Sequence, residues 1–482
     1  MKKEKVIIIG AGLSGSLLAI YLAKRGIECE IYEARGDMRR QEMSAGRSIN
    51  LALSNRGIAA LREVGLDEYM LAEAVPMYGR MIHSTDSSTK LLPYSGRTGE
   101  YINSVSRAGL NIALMNEAEK YDGVTFHFNR RCIDFRFDSG EVLFENGTTA
   151  KGDTVIATDG AGSALRNAMF HEVPRFDFSQ RWLEHGYKEL HIPSRKDYAS
   201  ATTADSEKNG TFLMEKNALH IWARRSFMMI ALPNFDGSFT CTLFLAHEGE
   251  NSFGSIVGNA CGSERVVDKN KSIPNLNDYP PAAAGSTDCL LEFFETNFPD
   301  AISLMPTLTE DFFKNPVGNL GTIKCFPWNA GGKSLLLGDS AHAVVPFYGQ
   351  GMNASFEDCR ILNQLIETHG TNWETVFKEF TAERKPNTDA IADMAEENFY
   401  EMRDAVADPV FQRKRELETR LEQTFPDYFS KYSMVTFRED LPYLTAKQKG
   451  NAQDKLLMEI CAGIEKVSEI DLNGVIKQLK EI

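Results

Sequence analysis

Short runs of apolar residues, each close to a glycine or an aspartate, stand at three places in the chain. They occupy residues 6–9, 154–158 and 333–339. Runs of this length are typical of parallel strands that are buried on both faces. Residues 13–24 have the composition of a helix and residues 28–32 that of a second strand. The pattern therefore predicts strand–helix–strand units around a parallel sheet.

The middle of the chain has a different pattern, beginning at about Phe176. Alternating segments rich in β-branched and aromatic residues predict an antiparallel sheet, and they are residues 219–222, 227–232 and 239–245. Residues 80–83 and 90–94 resemble two short strands around a polar turn. Residues 249–288 are polar, contain glycine and proline and show no sustained periodicity, so we expect an exposed and partly mobile insertion.

The last part of the chain is predicted to be helical. The helical patterns cover residues 352–368, 373–385, 388–407, 410–424 and 454–482. Pro386 lies between the second and third of these patterns, and we expect it to interrupt or end a helix.

Composition argues against several classes of protein. The chain has 482 residues, 43% of them hydrophobic and 25% charged, which is ordinary for a soluble globular protein of more than one domain. A net charge of -14 argues against nucleic acid or an anionic membrane as the main partner. We expect neither a signal peptide nor a transmembrane anchor. The eight cysteines are scattered without a CxxC pair, which predicts reduced thiols, a cytoplasmic location and no metal site.

The turn after the first strand carries a dinucleotide-binding fingerprint, Gly10-x-Gly12-x-x-Gly15. Gly10 permits the tight turn, Gly12 lets a pyrophosphate approach the backbone, and Gly15 lets the helix lie close to the strand. The first helical N–H groups, at Leu13 and Ser14, then face the phosphates. Glu33 ends the second strand, where a carboxylate accepts hydrogen bonds from ribose hydroxyls. These residues predict a bound dinucleotide.

Two further motifs indicate that this dinucleotide is a flavin. Asp159 and Gly160 follow the second apolar run, and Asp339 ends the third, where a carboxylate can bind ribitol hydroxyls. Gly349 and Gly351 leave backbone N–H groups open beside a helix that begins near Met352, and that helix start can stabilise negative charge on a flavin ring. A nicotinamide dehydrogenase has no need of such a second contact site, whereas a flavin does.

With these three motifs in this order, the chain resembles the single-component FAD-dependent aromatic hydroxylases. Within that class it is similar to the kynurenine 3-monooxygenase family, from the N-terminus to about Phe437. The similarity is carried by residues 46–54 (GRSINLALS), 80–83 (RMIH), 227–234 (FMMIALPN), 238–244 (SFTCTLF) and 346–358 (PFYGQGMNASFED).

The resemblance implies a fold and a reaction. The fold is α/β, with a discontinuous Rossmann-like FAD-binding domain, an antiparallel β-sheet domain for the substrate and a C-terminal helical region. The expected boundaries are 1–75, 100–175 and 325–385 for FAD, 76–99 and 176–324 for the sheet, and 386–482 for the helices. In this family NADPH reduces FAD, O2 adds at flavin C4a, and the hydroperoxide converts L-kynurenine to 3-hydroxy-L-kynurenine in tryptophan catabolism. No separate Rossmann unit for NADPH is expected, and the protein would be a monomer or a homodimer.

Residue roles follow from the same resemblance. No catalytic base is expected, because the aniline group activates the ring carbon; Arg80, Tyr94 and Gln350 would position the reactants. Arg80 and Tyr94 would hold the substrate carboxylate with help from Asn398, since arginine offers carboxylates a two-pronged fork. The residues expected to surround the substrate ring are Leu219, Met228, Ile230, Leu232, Phe244, Pro346, Phe347 and Tyr432. Further cofactor contacts are expected at Arg35, Arg47, Leu53, Arg107, Pro346 and Asn353.

Three alternatives stay open from the sequence. The same chemistry could act on another aromatic amino acid or phenolic acid. A flavin-dependent reductase or dehydrogenase would use no oxygen. A flavin-binding sensor or partner-binding protein would use the C-terminal helices for its contacts. The length of residues 249–288 also exceeds what we expect in the family, and Tyr348 occupies a position at which relatives differ.

Overall fold

The structure is a computed structural model that describes residues 4–40, 50–198, 210–258, 284–405 and 408–482. Its core is a six-stranded sheet whose main part is parallel, as predicted, with Lys5–Ile9 between Thr154–Ala157 and Glu28–Tyr32. Val124–His127 and Ser334–Leu336 extend it in parallel, and Asn329–Ala330 adds an antiparallel edge, so strands from separated parts of the chain meet in one sheet. A three-stranded antiparallel sheet also belongs to this half of the molecule, built from Cys132–Arg136, Glu141–Phe144 and Thr149–Lys151.

A second, seven-stranded sheet forms the other half of the molecule. Its strands are, in spatial order, Gly318–Phe326, Asp177–Ile192, Phe239–Ala246, Met228–Pro233, Ala218–Ala223, Gly79–His83 and Thr89–Pro93. All neighbours are antiparallel except Ala218–Ala223 and Gly79–His83, which pair in parallel. A small sheet of Asn50–Leu53, Ile102–Ser106 and Val75–Met77 lies at the junction of the halves. The α/β fold with an antiparallel sheet is thereby confirmed.

The helices complete both halves and form the C-terminal region. Those before residue 320 are Leu13–Lys24, Asn55–Glu63, Asp67–Ala72, Arg107–Ala118, Ala164–Glu172, Phe253–Val257, Ala284–Asn297, Pro299–Ile302 and Leu308–Lys314. Those after it are Asp339–His342, Gly351–His369, Trp373–Tyr400, Pro409–Thr424, Lys431–Phe437, Tyr443–Ala462 and Leu472–Leu479. Within the described residues, none of these helices is long and apolar enough to cross a membrane.

Three helix predictions were wrong at their boundaries. Helix Trp373–Tyr400 continues through Pro386 and runs on as a π-helix, Glu401–Ala405. The side chain of Asn387 donates to the Glu383 carbonyl beside the proline, and apolar packing of the helix offsets the remaining cost. Residues 454–482 do not form one helix, because the chain turns between Tyr443–Ala462 and Leu472–Leu479.

The predicted insertion, residues 249–288, is partly structured. Ser252 begins the helix Phe253–Val257 with a capping box, and Phe253 and Ile256 are buried under the seven-stranded sheet. The helix Ala284–Asn297 already includes the end of the insertion, and residues 259–283 lie outside the described residues. Burial of these two apolar side chains makes the start of this stretch part of the core, which its overall polarity had concealed.

The cysteine prediction needs one correction. The thiols of Cys29, Cys132, Cys241, Cys325, Cys359 and Cys461 are free, as expected. Cys289, on the helix Ala284–Asn297, is disulfide-bonded. The scattered spacing of the cysteines therefore did not predict the bonding state of Cys289.

Candidate functional site

A cavity of about 750 Å³ lies between the carboxyl ends of the parallel strands and one face of the seven-stranded sheet. The carboxyl ends of parallel strands are where α/β proteins bind ligands. Most of the residues predicted to contact FAD or to form its turn line this cavity. Those in its wall are Gly10, Gly12, Leu13, Ser14, Glu33, Arg35, Arg107, Asp159, Gly160, Asp339, Pro346, Gly349, Gly351 and Met352.

The glycine turn at one end of the cavity combines tight packing with open space. A Cβ on Gly10, whose φ is +99°, would lie 2.5 Å from the Thr158 carbonyl oxygen, and one on Gly15 would lie 2.0 Å from the Gly10 oxygen. A Cβ on Gly12 would meet no protein atom within 4 Å. The protein's own packing therefore requires Gly10 and Gly15, whereas Gly12 keeps space clear in front of the helix Leu13–Lys24. A pyrophosphate fits that space.

Glu33 is held as a carboxylate next to this turn. It accepts hydrogen bonds from the Ala11 N–H at 3.0 Å, the Arg35 N–H at 3.0 Å and the Arg35 Nε at 2.8 Å. Burial acts to raise the pKa of Glu33, but the bonds from Arg35 and Ala11 hold the pKa below its ordinary value. An ionised carboxylate at this strand end is suited to ribose hydroxyls.

The two aspartates of the other motifs also reach the cavity. Asp159 Oδ2 accepts a hydrogen bond from the Ala164 N–H at 2.8 Å, whereas its Oδ1 is buried without a hydrogen-bond partner among the described residues. Burial raises the pKa of Asp159. Asp339 begins the helix Asp339–His342, and its side chain is exposed in the cavity wall. A ligand hydroxyl or N–H would satisfy the unpaired oxygen of Asp159.

Some predicted cofactor residues shape the cavity without forming its wall. Asn353 is fully buried; its amide donates to the Ala52 carbonyl at 2.8 Å and the Gly349 carbonyl at 2.9 Å. Leu53 is a core residue, and Gly15 packs against Gly10. Asn353 thus fixes the turn at Gly349, whose φ of +68° favours glycine. Arg47 lies outside the described residues.

The other half of the cavity is formed by the seven-stranded sheet. Pairing of Met228 with Phe244 and of Ile230 with Thr242 sets the register. Met228, Ile230 and Leu232 then face the cavity, while alternate residues face the opposite core. The predicted ring-pocket residues all line the cavity, and they are Leu219, Met228, Ile230, Leu232, Phe244, Pro346, Phe347 and Tyr432. This end of the cavity is therefore largely apolar.

Arg80 provides positive charge at the apolar end. Its guanidinium lies 4.8 Å from the centre of the Tyr432 ring and 5.6 Å from that of Tyr94. The two rings stack at 5.2 Å with an angle of 10° between their planes. Among the described residues, Arg80 forms no ion pair, and the buried Tyr94 hydroxyl has no partner in good hydrogen-bond geometry. Burial raises the pKa of Tyr94 well above its usual value in spite of the nearby Arg80, so the phenol stays neutral and can donate to an anion.

Two of the residues predicted to bind or position the substrate do not line this cavity. Asn398 is buried, and its amide donates to the Phe347 carbonyl at 2.6 Å; it faces a separate cavity of about 20 Å³. Gln350 is also buried, and its Oε1 accepts a hydrogen bond from the Tyr443 hydroxyl at 2.9 Å. Each amide therefore forms its hydrogen bond with another residue of the protein, Phe347 for Asn398 and Tyr443 for Gln350.

A family model described as an FAD binding domain matches residues 3–226 and 306–395. Kynurenine 3-monooxygenase of Myxococcus xanthus is 44% identical over 477 residues, which are 98% of this chain and 94% of that protein. The enzyme of the same name from Dictyostelium discoideum is 40% identical over 495 residues, 98% of both chains. The chain belongs to the kynurenine 3-monooxygenase family.

Solved structures agree with the fold of this kynurenine 3-monooxygenase family member. The tetrameric form of 2-methyl-3-hydroxypyridine-5-carboxylic acid oxygenase superposes with a TM-score of 0.62 at 18% identity, covering 89% of this chain and 99% of that one. Klebsiella pneumoniae HpxO, complexed with FAD and uric acid, gives 0.59 at 19% identity, covering 86% and 92%. The family and the fit of the cavity residues identify the cofactor as FAD.

The flavin half of this family member is stabilised by a buried ionic network. Asp358 accepts hydrogen bonds from His342 at 2.6 Å and from Arg384 at 2.7 Å. Glu357 contacts Arg384 and Arg56, each at 2.6 Å. Despite burial, these partners hold the pKa of Asp358 and of Glu357 below the ordinary values. His342 is therefore a structural partner within the third motif.

Sequence reasoning missed several residues of the cavity wall. Tyr187 and Leu320 lie on strands Asp177–Ile192 and Gly318–Phe326, neither of which the pattern had indicated. Thr242 lies in the wall two residues before Phe244, so alternation from Phe244 could have found it. Tyr348, which the sequence analysis noted only as a position at which relatives differ, lines both cavities and stacks on Tyr432 at 5.7 Å.

The role of Gln350 can be tested through its partner. Replacing Tyr443 with phenylalanine removes the hydroxyl that donates to Gln350, and we expect the free energy of unfolding to fall by about 0.5–1.5 kcal/mol. Because neither side chain lines the cavity, substrate affinity and FAD content should stay within about twofold. Chemical denaturation measures the free energy of unfolding, flavin absorbance measures the FAD content, and titration with substrate measures the affinity. A large loss of FAD with unchanged stability would instead place Gln350 at the flavin.

Proposed function

We propose that this chain hydroxylates L-kynurenine to 3-hydroxy-L-kynurenine, with NADPH as electron donor and O2 as oxidant. The observation that carries the proposal is one continuous cavity that joins the FAD cradle to an apolar slot ending at Arg80. Family relatives that share nearly the full length of the chain carry the name of this reaction. A substrate with an aromatic ring and a distant carboxylate matches both ends of the slot.

FAD, when bound, would supply the redox chemistry that links NADPH and O2. We propose that the residues of the three motifs hold it, with Glu33 at the ribose, Gly12 at the pyrophosphate and Asp339 near the ribitol. The turn at Gly349 and Gly351 would place backbone N–H groups near the ring system. The contacts expected of Arg107 and Arg47 stay predictions.

The chain's own residues then bind and orient the substrate. We propose that Arg80 and Tyr94 donate hydrogen bonds to the kynurenine carboxylate, while Met228, Ile230 and Phe244 contact the ring and exclude water. Asn398 would assist by fixing the Phe347 carbonyl. The aniline nitrogen makes the neighbouring ring carbon electron-rich, so no strong protein base is required.

The test is NADPH consumption by the purified, FAD-loaded protein with and without L-kynurenine, with product mass measured. The proposal expects a stimulation of at least about tenfold and a product one oxygen atom heavier, since the substrate completes the site. Stimulation that yields only hydrogen peroxide would mean that kynurenine binds without being placed for oxygen transfer. No stimulation would overturn the assignment of substrate, and turnover under anaerobic conditions would overturn the assignment of reaction.

The proposal also covers the cellular location and the oligomeric state. We propose a cytoplasmic location and a monomeric or homodimeric state, which cell fractionation and light scattering measure. The domain boundaries expected from the sequence also stay predictions, and limited proteolysis tests them.

A further inference from the structure

A buried carboxylate connects the two chain segments that carry the tyrosines beside Arg80. Glu422, on the helix Pro409–Thr424, is 4% exposed. One of its oxygens, Oε2, accepts hydrogen bonds from the Gly96 N–H at 2.9 Å and the Ser95 hydroxyl at 3.2 Å. The other, Oε1, accepts one from the Ser430 N–H at 3.0 Å. The two oxygens of Glu422 therefore bind two separate segments of the chain, one at Ser95 and Gly96 and the other at Ser430.

These two segments carry the rings that flank Arg80. Ser95 and Gly96 directly follow Tyr94, and Ser430 is the N-cap of the helix Lys431–Phe437, which includes Tyr432. The cap itself is complete, because the Ser430 hydroxyl accepts from the Ser433 N–H. The Glu422 carboxylate thus fixes the backbone on either side of the stacked pair.

Close packing at Gly96 and the charged side chain of Arg97 also hold the segment after Tyr94 against the C-terminal helices. A Cβ on Gly96 would lie 2.4 Å from the Thr419 carbonyl oxygen, so this loop lies directly on the Glu422 helix. Arg97 donates to the carbonyls of Pro426 and Tyr428, and its guanidinium lies 3.6 Å from Glu422. We call Glu422 and Arg97 the clamp.

We propose that Glu422 is a positioning residue for the substrate carboxylate, acting through the backbone of Tyr94 and Tyr432. The inference rests on the proposed function, because it assigns the Arg80 end of the cavity to the kynurenine carboxylate. With the clamp intact, the two rings stay parallel and confine the Arg80 guanidinium in one orientation. Without it, the N–H groups of the half-buried Gly96 and the buried Ser430 lose their acceptor, and both segments shift to find others.

The experiment compares Glu422→Ala with Leu421→Ala on the same helix. Leu421 is fully buried in the apolar core of the C-terminal helices, so its truncation lowers stability without removing the clamp. We expect Glu422→Ala to weaken L-kynurenine binding about tenfold, as for the loss of one charge-assisted contact. Binding of kynuramine, which lacks the carboxylate, should change less than about twofold in either variant, and Glu422→Gln, which keeps one acceptor oxygen, should be intermediate. Flavin absorbance titration measures all these affinities.

Hydrogen–deuterium exchange without substrate provides a second readout. In Glu422→Ala, amides of residues 95–97 and 430–437 should exchange faster than in Leu421→Ala. Each variant is measured at a temperature that lies the same number of degrees below its own unfolding midpoint. Equal exchange in the two variants, or equal weakening of L-kynurenine and kynuramine, would overturn the positioning role. If the wild-type protein fails to bind L-kynurenine, the proposed function fails, and the exchange comparison still decides whether the clamp orders the two segments.

Discussion

Replacing Arg80 with alanine is expected to raise the KM for L-kynurenine by about 10- to 150-fold, with a smaller change in kcat. The guanidinium lies in the cavity wall against Tyr432 and Tyr94, and it forms no ion pair among the described residues. A hydrogen bond between charged groups contributes about 1.5–3 kcal/mol, which corresponds to this range. Steady-state NADPH oxidation at varied L-kynurenine measures the change.

Two further variants interpret the Arg80 result. Arg80→Lys keeps the charge but loses the planar fork, so we expect a KM between those of the wild type and the alanine variant. Arg62, whose side chain is 63% exposed, is a matched arginine outside the site, and Arg62→Ala should leave KM unchanged. FAD content should be unaffected in all three variants. An unchanged KM in Arg80→Ala would remove Arg80 from the substrate site.

The flavin half was predictable because its signals are local. The turn around Gly10, the carboxylate of Glu33 and the aspartate at residue 159 each follow a buried strand directly in sequence. Parallel pairing brings the carboxyl ends of such strands to one edge, so the short motifs assemble without further information. Met228, Ile230 and Leu232 were expected from the family resemblance, and alternation along a strand agrees with their lying on one face.

The parts that were missed depend on contacts between distant residues. The first half of the strand Asp177–Ile192 is mostly exposed and mixes polar with apolar residues without alternation, so its pairing with Gly318–Phe326 identifies it. The direction of the Gln350 side chain is set by Tyr443, 93 residues later. Glu422 is separated from Gly96 by 326 residues, and nothing in the local pattern distinguishes it from a solvated glutamate on a helix.

Replacing Gly12 with alanine is expected to give a folded protein that has lost FAD. The φ of Gly12 is -74°, which alanine adopts freely, and the new Cβ would meet no protein atom within 4 Å. The methyl group would instead occupy the space that a pyrophosphate needs to reach the helix N–H groups. Loss of about 3 kcal/mol of charge-assisted bonding lowers FAD affinity about 150-fold. Flavin fluorescence titration of the apoprotein measures the affinity, and circular dichroism checks the fold.

Gly15→Ala is the control that separates ligand space from protein packing. Its Cβ would lie 2.0 Å from the Gly10 carbonyl oxygen and 2.6 Å from the Thr158 hydroxyl, so the helix Leu13–Lys24 must move away from the first strand. We expect this variant to lose stability as well as FAD, with a lower Tm in the apoprotein, whereas Gly12→Ala keeps the Tm of wild-type apoprotein. Gly12→Ala that binds FAD normally would contradict the pyrophosphate assignment, because the open space at Gly12 would then have no ligand to explain it.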